Sequence, residues 1–317
     1  MPTPPALPRL HVVTGKGGTG KTTVAGALAL ALAATSARVL LVEVEGRQGL
    51  AQLFDTPPLP YAETRLAAAS RGEVIGLAVD AEAAMLEYLE MFYNLKRAGS
   101  VLRKMGAIDF VTTIAPGLRD VLLTGKVKEA VTRTGRDGRR VFDAVVLDAP
   151  PTGRIVPFLQ ATHEVAGLTK IGPIHRQSTG VTELLHSDRT QIHLVTLLEE
   201  MPVQETMDAA KDLRQAGYRI GRVMVNRARP VLVSNAKPHA QTLADGLQLA
   251  GLDPTIAPAL ISEVTDYAAR QDVQIRAEAE LADVGAPTIR LPELSPMDLG
   301  GLYELAEQLD VRHWSTA

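Results

Sequence analysis

The chain of 317 residues contains no cysteine. Disulfides, zinc–thiolate sites and iron–sulfur clusters all require cysteine sulfur, so the sequence excludes each of them. The same absence removes the soft thiolate ligands on which arsenite binding depends. We therefore expect neither zinc nor arsenite to bind. Four histidines show no metal-ligand spacing with acidic partners, namely His163, His175, His186 and His193. We interpret them as ordinary surface or core residues.

A basic excess and a long apolar run are absent as well. The formal net charge is −3, and the basic segment 133–140 (RTGRDGRR) lies between a helical pattern and a strand, which is typical of a solvated loop. We do not expect nucleic-acid binding, because it usually requires clustered basic residues. The longest apolar run, Val24–Ala34, is too short to cross a bilayer and predicts a buried core helix.

A secretory signal is also missing from the start of the sequence. The segment Met1–Pro8 is rich in proline and lacks an apolar core. We expect residues 1–9 to form a disordered tail and the protein to be cytoplasmic. Residues 10–317 are enough to form one domain with a sizeable core.

The most informative feature that is present is the glycine-rich segment GKGGTGKTT at residues 15–23. It follows the apolar run Leu10–Val13 and precedes the helix-forming run Val24–Ala34. A strand, a glycine turn and a helix in this order are the context that the phosphate-binding P-loop requires. The segment predicts nucleotide binding by Gly15, Lys16, Gly17, Gly18, Thr19, Gly20, Lys21, Thr22 and Thr23.

The chemistry of the loop follows from its backbone and two side chains. Glycines let successive N–H groups point inward, and the helix N-terminus adds partial positive charge. Lys21 can reach the terminal phosphates of ATP, and the Thr22 hydroxyl can ligate Mg²⁺. We therefore expect ATP and Mg²⁺ as cofactors.

Lys16 adds a second lysine at the start of the loop and has two interpretations. It is either a solvated loop charge or a cation that neutralises the transition state of phosphoryl transfer, as an arginine finger does. In the second case the ammonium acts in cis or across a dimer.

Strand and helix patterns alternate along the chain. This alternation predicts an α/β fold with a doubly wound, mostly parallel sheet, and no internal repeat is present. The predicted strands are Leu10–Thr14, Arg38–Glu45, Val74–Asp80, Val141–Asp148, Gln191–Leu198, Arg219–Asn226 and Thr288–Leu291, followed by a helical run Met297–Leu309.

The segment from 81 to about 140 has a helical pattern and no strong strand, so we predict a helical insert there. Its apolar stripe consists of Met85, Leu86, Leu89, Phe92 and Tyr93. The stripe predicts a helix packed on its neighbour. The alternative is an exposed groove for a hydrophobic client, in which Met85, Met91 and Met105 would adapt their shape.

Asp148 ends an apolar strand and is followed by a turn that contains Pro150, Pro151 and Gly153. An acid at the carboxyl end of the strand beside a P-loop is well placed to hold Mg²⁺ or its waters. The shape of the turn can depend on a γ-phosphate, which would make it a switch.

These segments resemble those of a known family, the arsenite-pump and tail-anchored-protein-targeting ATPases, which carry the same P-loop with two lysines. The segment DAPPTGR (148–154) resembles the family's switch II sequence, Asp-Thr-Ala-Pro-Thr-Gly-His. Other segments resemble motifs of the family and occur in the same order, namely APGLRD (115–120), PVQET (202–206), VMVNR (223–227) and LPEL (291–294). VEVEGRQG and TIAPGLRDVLLTGK are most similar to the actinobacterial, anion-transporting-ATPase-like branch.

The resemblance implies a single P-loop ATPase domain over residues 10–317 that hydrolyses ATP to ADP and phosphate. It also implies a homodimer or a heterodimer with a paralogous ATPase, in which Lys16 acts across the dimer. Asn226 stands where the family reads adenine, and Pro292 lies in the place of the adenine-capping loop. A membrane-protein client or a membrane transporter is the implied partner.

One departure from the family concerns Glu45, which stands where the family has the aspartate of its Asp-Pro-Ala-His switch I. Glutamate keeps the carboxylate but adds a methylene, and Gly46 replaces the proline. Glu45 is therefore either a general base, a residue that orders Mg²⁺ waters, or an acidic strand end without a catalytic role.

Two other functions stay open at this point. The departure at Glu45 favours a nucleotide-binding regulatory subunit with weak hydrolysis, paired with an active paralogue. A partitioning or septum-positioning ATPase would need a basic face or a basic amphipathic C-terminal helix, whereas Leu299–Leu309 contains no Lys or Arg.

Overall fold

The computed structural model describes residues 8–35, 38–93, 116–168, 173–231 and 240–314. Most of the predicted tail and the 94–115 part of the predicted insert therefore lie outside the described residues, and so do the side chains of Leu89, Phe92 and Tyr93 in the apolar stripe. Within the described residues, no helix is long and apolar enough to cross a membrane.

The protein is built on an eight-stranded sheet with the order β3-β4-β2-β5-β1-β6-β7-β8. Neighbouring strands are parallel except for β3 and β4, which are antiparallel. The predicted α/β class with a mostly parallel sheet is thus confirmed. The strands are β1 (Leu10–Gly15), β2 (Arg38–Glu43), β3 (Thr64–Ala68), β4 (Glu73–Ala78), β5 (Ala144–Asp148), β6 (Thr190–Thr196), β7 (Ile220–Ala228) and β8 (Thr288–Pro292).

Helices lie on both faces of this sheet. They are α1 (Lys21–Ala33), α2 (Gly49–Leu53), α3 (Ala81–Tyr93), α4 (Pro116–Thr132), α5 (Thr152–Leu168), α6 (Pro173–His186), α7 (Glu200–Gln215), α8 (Ala240–Leu249), α9 (Ala257–Leu281) and α10 (Leu299–Gln308). Short 3₁₀ turns occur at Pro254–Ile256, Ala282–Val284 and Val311–His313.

The core is divided in two by the sheet. One apolar cluster joins the sheet to α1, α2 and α10, and the other joins it to helices that include α4, α5, α6 and α7. Residues 24–33 of α1 are all buried, as the apolar run Val24–Ala34 predicts. Parallel central strands covered on both faces need apolar residues throughout, and β1 and β5 are indeed buried along their whole length.

The structure corrects the limits of several predicted strands, among them β2 and β5. β2 ends at Glu43, so Glu45 lies in the following turn, where Gly46 has a φ of 69°. β5 begins only at Ala144, because Val141 donates its N–H to the Arg133 carbonyl. The sequence also missed the edge strand β3, in which only Ala67 is buried and the apolar pattern is correspondingly weak.

The described part of the predicted insert consists of α3, α4 and an exposed loop. Met85 of α3 packs against the core, as expected for a helix packed on its neighbour. Tyr61 donates a hydrogen bond of 2.5 Å to Glu87 of α3, and Lys126 of α4 lies 2.7 Å from the same carboxylate. A polar network therefore joins the two helices to the loop before β3.

A buried histidine pair lies on β1 and β6, away from the glycine loop. The Nδ1 atom of His11 is 3.0 Å from the Nε2 atom of His193, and both side chains are fully buried. The Nε2 atom of His11 lies 3.0 Å from the Pro8 carbonyl oxygen, so it carries the proton that donates there. His193, which the sequence indicated to be an ordinary surface or core residue, is therefore a core residue that pairs with His11.

Candidate nucleotide site

The loop between β1 and α1 has the backbone of a phosphate-binding turn. Gly18 and Gly20 have φ angles of 88° and 85°, in the left-handed region that favours glycine. At Gly15, a Cβ atom would lie 2.2 Å from the Val195 carbonyl oxygen, so close packing against β6 requires glycine. Glycine is therefore favoured at Gly18 and Gly20 by the backbone conformation and required at Gly15 by close packing.

The space over the loop is open. A Cβ atom placed on Gly17 or Gly18 would meet no atom of the described residues within 4 Å. Lys21 and Thr22 begin α1 immediately after the turn, so the positive end of the helix faces this space. The open space, the start of the helix and the ammonium of Lys21 together fit the phosphates of a nucleotide.

Asn226 holds the loop from the neighbouring side. Its Nδ2 atom donates a hydrogen bond of 2.9 Å to the Thr19 carbonyl, and Thr19 in turn donates its hydroxyl to the Lys16 carbonyl at 2.9 Å. Asn226, predicted to read adenine, is therefore also a buried support of the P-loop. Its contact with adenine stays a prediction.

Thr22 and Asp148 form the second part of the site. The Thr22 hydroxyl donates to the Oδ2 atom of Asp148 at 2.6 Å, across the boundary between α1 and β5. The Oδ1 atom of Asp148 is buried and has no hydrogen-bond partner among the described residues. Burial raises the pKa of Asp148 to about 6, against the lowering effects of the Thr22 hydrogen bond and the Lys21 charge. A buried, unpaired carboxylate oxygen beside a threonine hydroxyl fits a divalent cation or its waters.

Two glutamates lie at the end of the neighbouring strand β2 and just beyond it. Glu45 lies beyond the strand with its carboxylate 4.0 Å from Arg47, and its charge contributes to the raised pKa of Asp148. Glu43, which the sequence analysis missed, is buried at the end of β2. Its carboxylate accepts the N–H groups of Gly49 and Leu50 at 3.1 and 3.2 Å, and so caps α2.

Lys16 is paired within the chain. Its ammonium lies 2.6 Å from the Oε1 atom of Glu205 on α7, and Thr152 donates its hydroxyl to the Oε2 atom of the same carboxylate at 3.3 Å. The sequence singled out the segment 202–206 but gave Glu205 no role. The distance of 189 positions between Lys16 and Glu205 explains why no local pattern shows the pair.

Pro292 lies at the end of β8, where it pairs in register with Ala228 at the end of β7. Just beyond these ends is a cavity of about 370 Å³, whose lining includes Arg227, Tyr267 and Glu293. The structure thus places Pro292 on the same edge of the sheet as the P-loop, next to the strand of Asn226. Among the described residues, no hydrogen bond joins Pro292 to the P-loop.

A glycine loop between a central parallel strand and a buried helix, with a lysine and a threonine at the start of that helix, defines the class of P-loop nucleotide-binding proteins. The chain belongs to the anion-transporting ATPase family, whose model matches residues 9–186. The family resemblance that the motifs indicated is thereby confirmed.

Three relatives illustrate the range of the family. ATPase BagA of Mycobacterium tuberculosis is 53% identical over 314 residues, which cover 95% of this chain and 92% of that protein. An arsenical pump-driving ATPase of Escherichia coli is 25% identical over 250 residues, 71% of this chain and 40% of that protein. ATPase get3 of Schizosaccharomyces japonicus is 26% identical over 177 residues, 53% of this chain and 51% of that protein.

Proposed function

We propose that the protein is a Mg²⁺-dependent ATPase that hydrolyses ATP to ADP and phosphate. The observation that carries the proposal is the Thr22–Asp148 hydrogen bond of 2.6 Å, with the second Asp148 oxygen buried and unpaired beside the open P-loop. The described residues include no cluster of three or more His, Cys, Asp or Glu side chains that could hold a metal. Mg²⁺ would accordingly bind together with nucleotide phosphates, as it usually does in proteins.

Each residue of the site has a role in this proposal. Lys21 and the backbone N–H groups of the loop bind the phosphates, and the Thr22 hydroxyl and Asp148 hold Mg²⁺ directly or through water. The metal would supply charge neutralisation on the phosphate oxygens. Lys16 stabilises the transition state, and Glu45 orients the attacking water or orders the waters of Mg²⁺. Asn226 and Pro292 face the adenine.

The decisive experiment is calorimetric titration of the purified chain with ATP and Mg²⁺. The parent protein should bind, and Lys21→Ala should lose binding because the ammonium at the start of α1 is removed. Lys211→Ala is a matched control, since Lys211 is an exposed lysine on α7. Unchanged affinity of Lys21→Ala would refute the assignment of this loop as the phosphate site.

The relatives support a further proposal, a cycle in which a dimer opens and closes. We propose a cytoplasmic protein that opens and closes as a homodimer or as a heterodimer with a paralogous ATPase. Closure would act on a membrane-protein client or a membrane transporter, a proposal supported by the relative in Escherichia coli, an arsenical pump-driving ATPase. Sedimentation of the chain with and without a non-hydrolysable ATP analogue tests the dimer.

A regulatory subunit with weak hydrolysis is the second candidate, and the position of Glu45 favours it. The Glu45 carboxylate is 20% exposed and lies near Arg47, and no described hydrogen bond joins it to Thr22 or Asp148. Single-turnover hydrolysis by the isolated chain decides between the two functions. A rate at the level of Lys21→Ala would favour the regulatory subunit.

A further inference from the structure

Glu205 contacts two segments that flank the space for the nucleotide. One carboxylate oxygen pairs with Lys16 of the P-loop at 2.6 Å, and the other accepts the hydroxyl of Thr152, the first residue of α5, at 3.3 Å. A single carboxylate therefore links the second lysine of the loop to the helix that follows Asp148.

The residues around Glu205 hold the backbone of α7 in place but leave the Glu205 carboxylate partly exposed. Its neighbours on α7, Val203 and Thr206, are buried, and Thr206 donates to the Pro202 carbonyl at 2.8 Å. Glu205 itself is only partly buried, with 36% of its side chain exposed. The backbone of α7 is thus anchored, while the carboxylate can exchange partners without a large cost of burial.

The segment between β5 and α5 is held at both ends. The Ala149 N–H donates to the Val13 carbonyl at 2.9 Å, and the Thr14 hydroxyl donates to the Pro150 carbonyl at 2.7 Å. These bonds fix the first end on β1. At the other end, Thr152 donates to Glu205, the same carboxylate that pairs with Lys16.

A nucleotide phosphate and Glu205 are both anions that attract the ammonium of Lys16. An ion pair this exposed contributes little stability, whereas phosphates bring several charges to the loop. Building on the proposed nucleotide site, we propose that Glu205 is a positioning residue. It holds Lys16 against α7 until phosphate arrives, and it transmits the departure of Lys16 to Thr152 at the start of α5.

Hydrogen exchange of α5, measured by mass spectrometry with and without Mg²⁺ and a non-hydrolysable ATP analogue, tests this coupling. In the parent protein the analogue should make exchange in residues 152–158 about two- to tenfold faster, the factor that corresponds to one hydrogen bond. Glu205→Gln should show the fast exchange without nucleotide. Lys16→Ala should bind the analogue yet lose the response, because no ammonium remains to leave Glu205.

Three further variants separate positioning from a general effect on the fold. Asp208→Asn neutralises an exposed carboxylate on the same helix and should keep the parent response. Thr152→Ser keeps the hydroxyl and should respond, whereas Thr152→Val should exchange fast in every state. Thr152→Val also tests the contact between Thr152 and Glu205 if Glu205→Gln fails to fold.

The outcomes distinguish this inference from the proposed function. If the parent does not bind the analogue, the proposed function fails. If the parent binds and Lys16→Ala still shows the full response in α5, the link through Glu205 is wrong, although the nucleotide site stands. Slow hydrogen exchange of α5 in nucleotide-free Glu205→Gln or Thr152→Val would also show that the link through Glu205 is wrong.

Discussion

The Thr22 hydroxyl donates a hydrogen bond of 2.6 Å to Asp148 and thereby joins the start of α1 to the end of β5. The contact is possible because β1 and β5 are parallel neighbours, with Val13 in register with Asp148. The carboxyl ends of both strands therefore meet at the same edge of the sheet, where the P-loop begins.

Asp148→Asn should make the nucleotide-free protein more stable by about 1–3 kcal/mol near neutral pH, because a buried carboxylate whose pKa is raised to about 6 loses its charge. The same variant should lower Mg²⁺-dependent hydrolysis by about 10²-fold or more. Urea unfolding and a phosphate-release assay measure the two effects. Thr22→Ser, which keeps the hydroxyl, is the control for the metal contact, and destabilisation of Asp148→Asn would contradict the argument from burial.

Lys16→Ala should retain ATP affinity within about tenfold while losing about 10³-fold in kcat, as expected for a residue that acts in the transition state. Lys21→Ala should instead lose binding. Calorimetry and steady-state kinetics of the proposed dimer separate the two lysines. Equal kcat values in Lys16→Ala and the parent would show that Lys16 does not act in the transition state.

Glu43→Gln and Glu45→Gln should affect different properties, stability for the first and hydrolysis for the second. Glu43 accepts two backbone N–H groups, so its neutralisation should cost about 1–3 kcal/mol of stability. Glu45→Gln should leave the urea midpoint unchanged and lower hydrolysis by about 10²–10⁴-fold if the carboxylate acts as a base. Parent-like hydrolysis by Glu45→Gln in an active assembly would favour the regulatory subunit.

The buried histidine pair should make the fold sensitive to acid. Burial lowers the pKa of His11 to about 4 and lowers that of His193 well below its ordinary value, and His11 and Arg222 lower the latter further. The unfolded state therefore binds more protons than the native state below about pH 6.5, and stability is lost as the pH falls from there towards about 4.

Urea unfolding from about pH 7 to about pH 5 measures this loss. The double variant His11→Gln/His193→Leu should have a flatter dependence than the parent, and the contribution of Asp148, which has the opposite sign, cancels in the comparison. His163→Gln, on an exposed site, should behave like the parent. Equal slopes for the double variant and the parent would show that the pair does not titrate as argued.

Much of the fold was predictable because its determinants are local. The β1 and α1 patterns lie next to the glycine loop in sequence, and the apolar run Val24–Ala34 predicted a helix that is buried along residues 24–33. The edge strand β3 escaped prediction because only Ala67 in it is buried, which leaves a weak apolar pattern. Glu43 escaped because nothing in the sequence distinguishes a carboxylate that caps α2 from one in a turn.

The sequence by itself determined the P-loop, the alternation of strands and helices, the acid at the end of β5 and the family. These features depend on residues adjacent in the chain, whose spacing sets backbone geometry. Only the tertiary structure decided which side chains share partners. Lys16 and Glu205 are 189 positions apart and His11 and His193 are 182 apart, so each pair exists only because the sheet and its covering helices bring distant segments together.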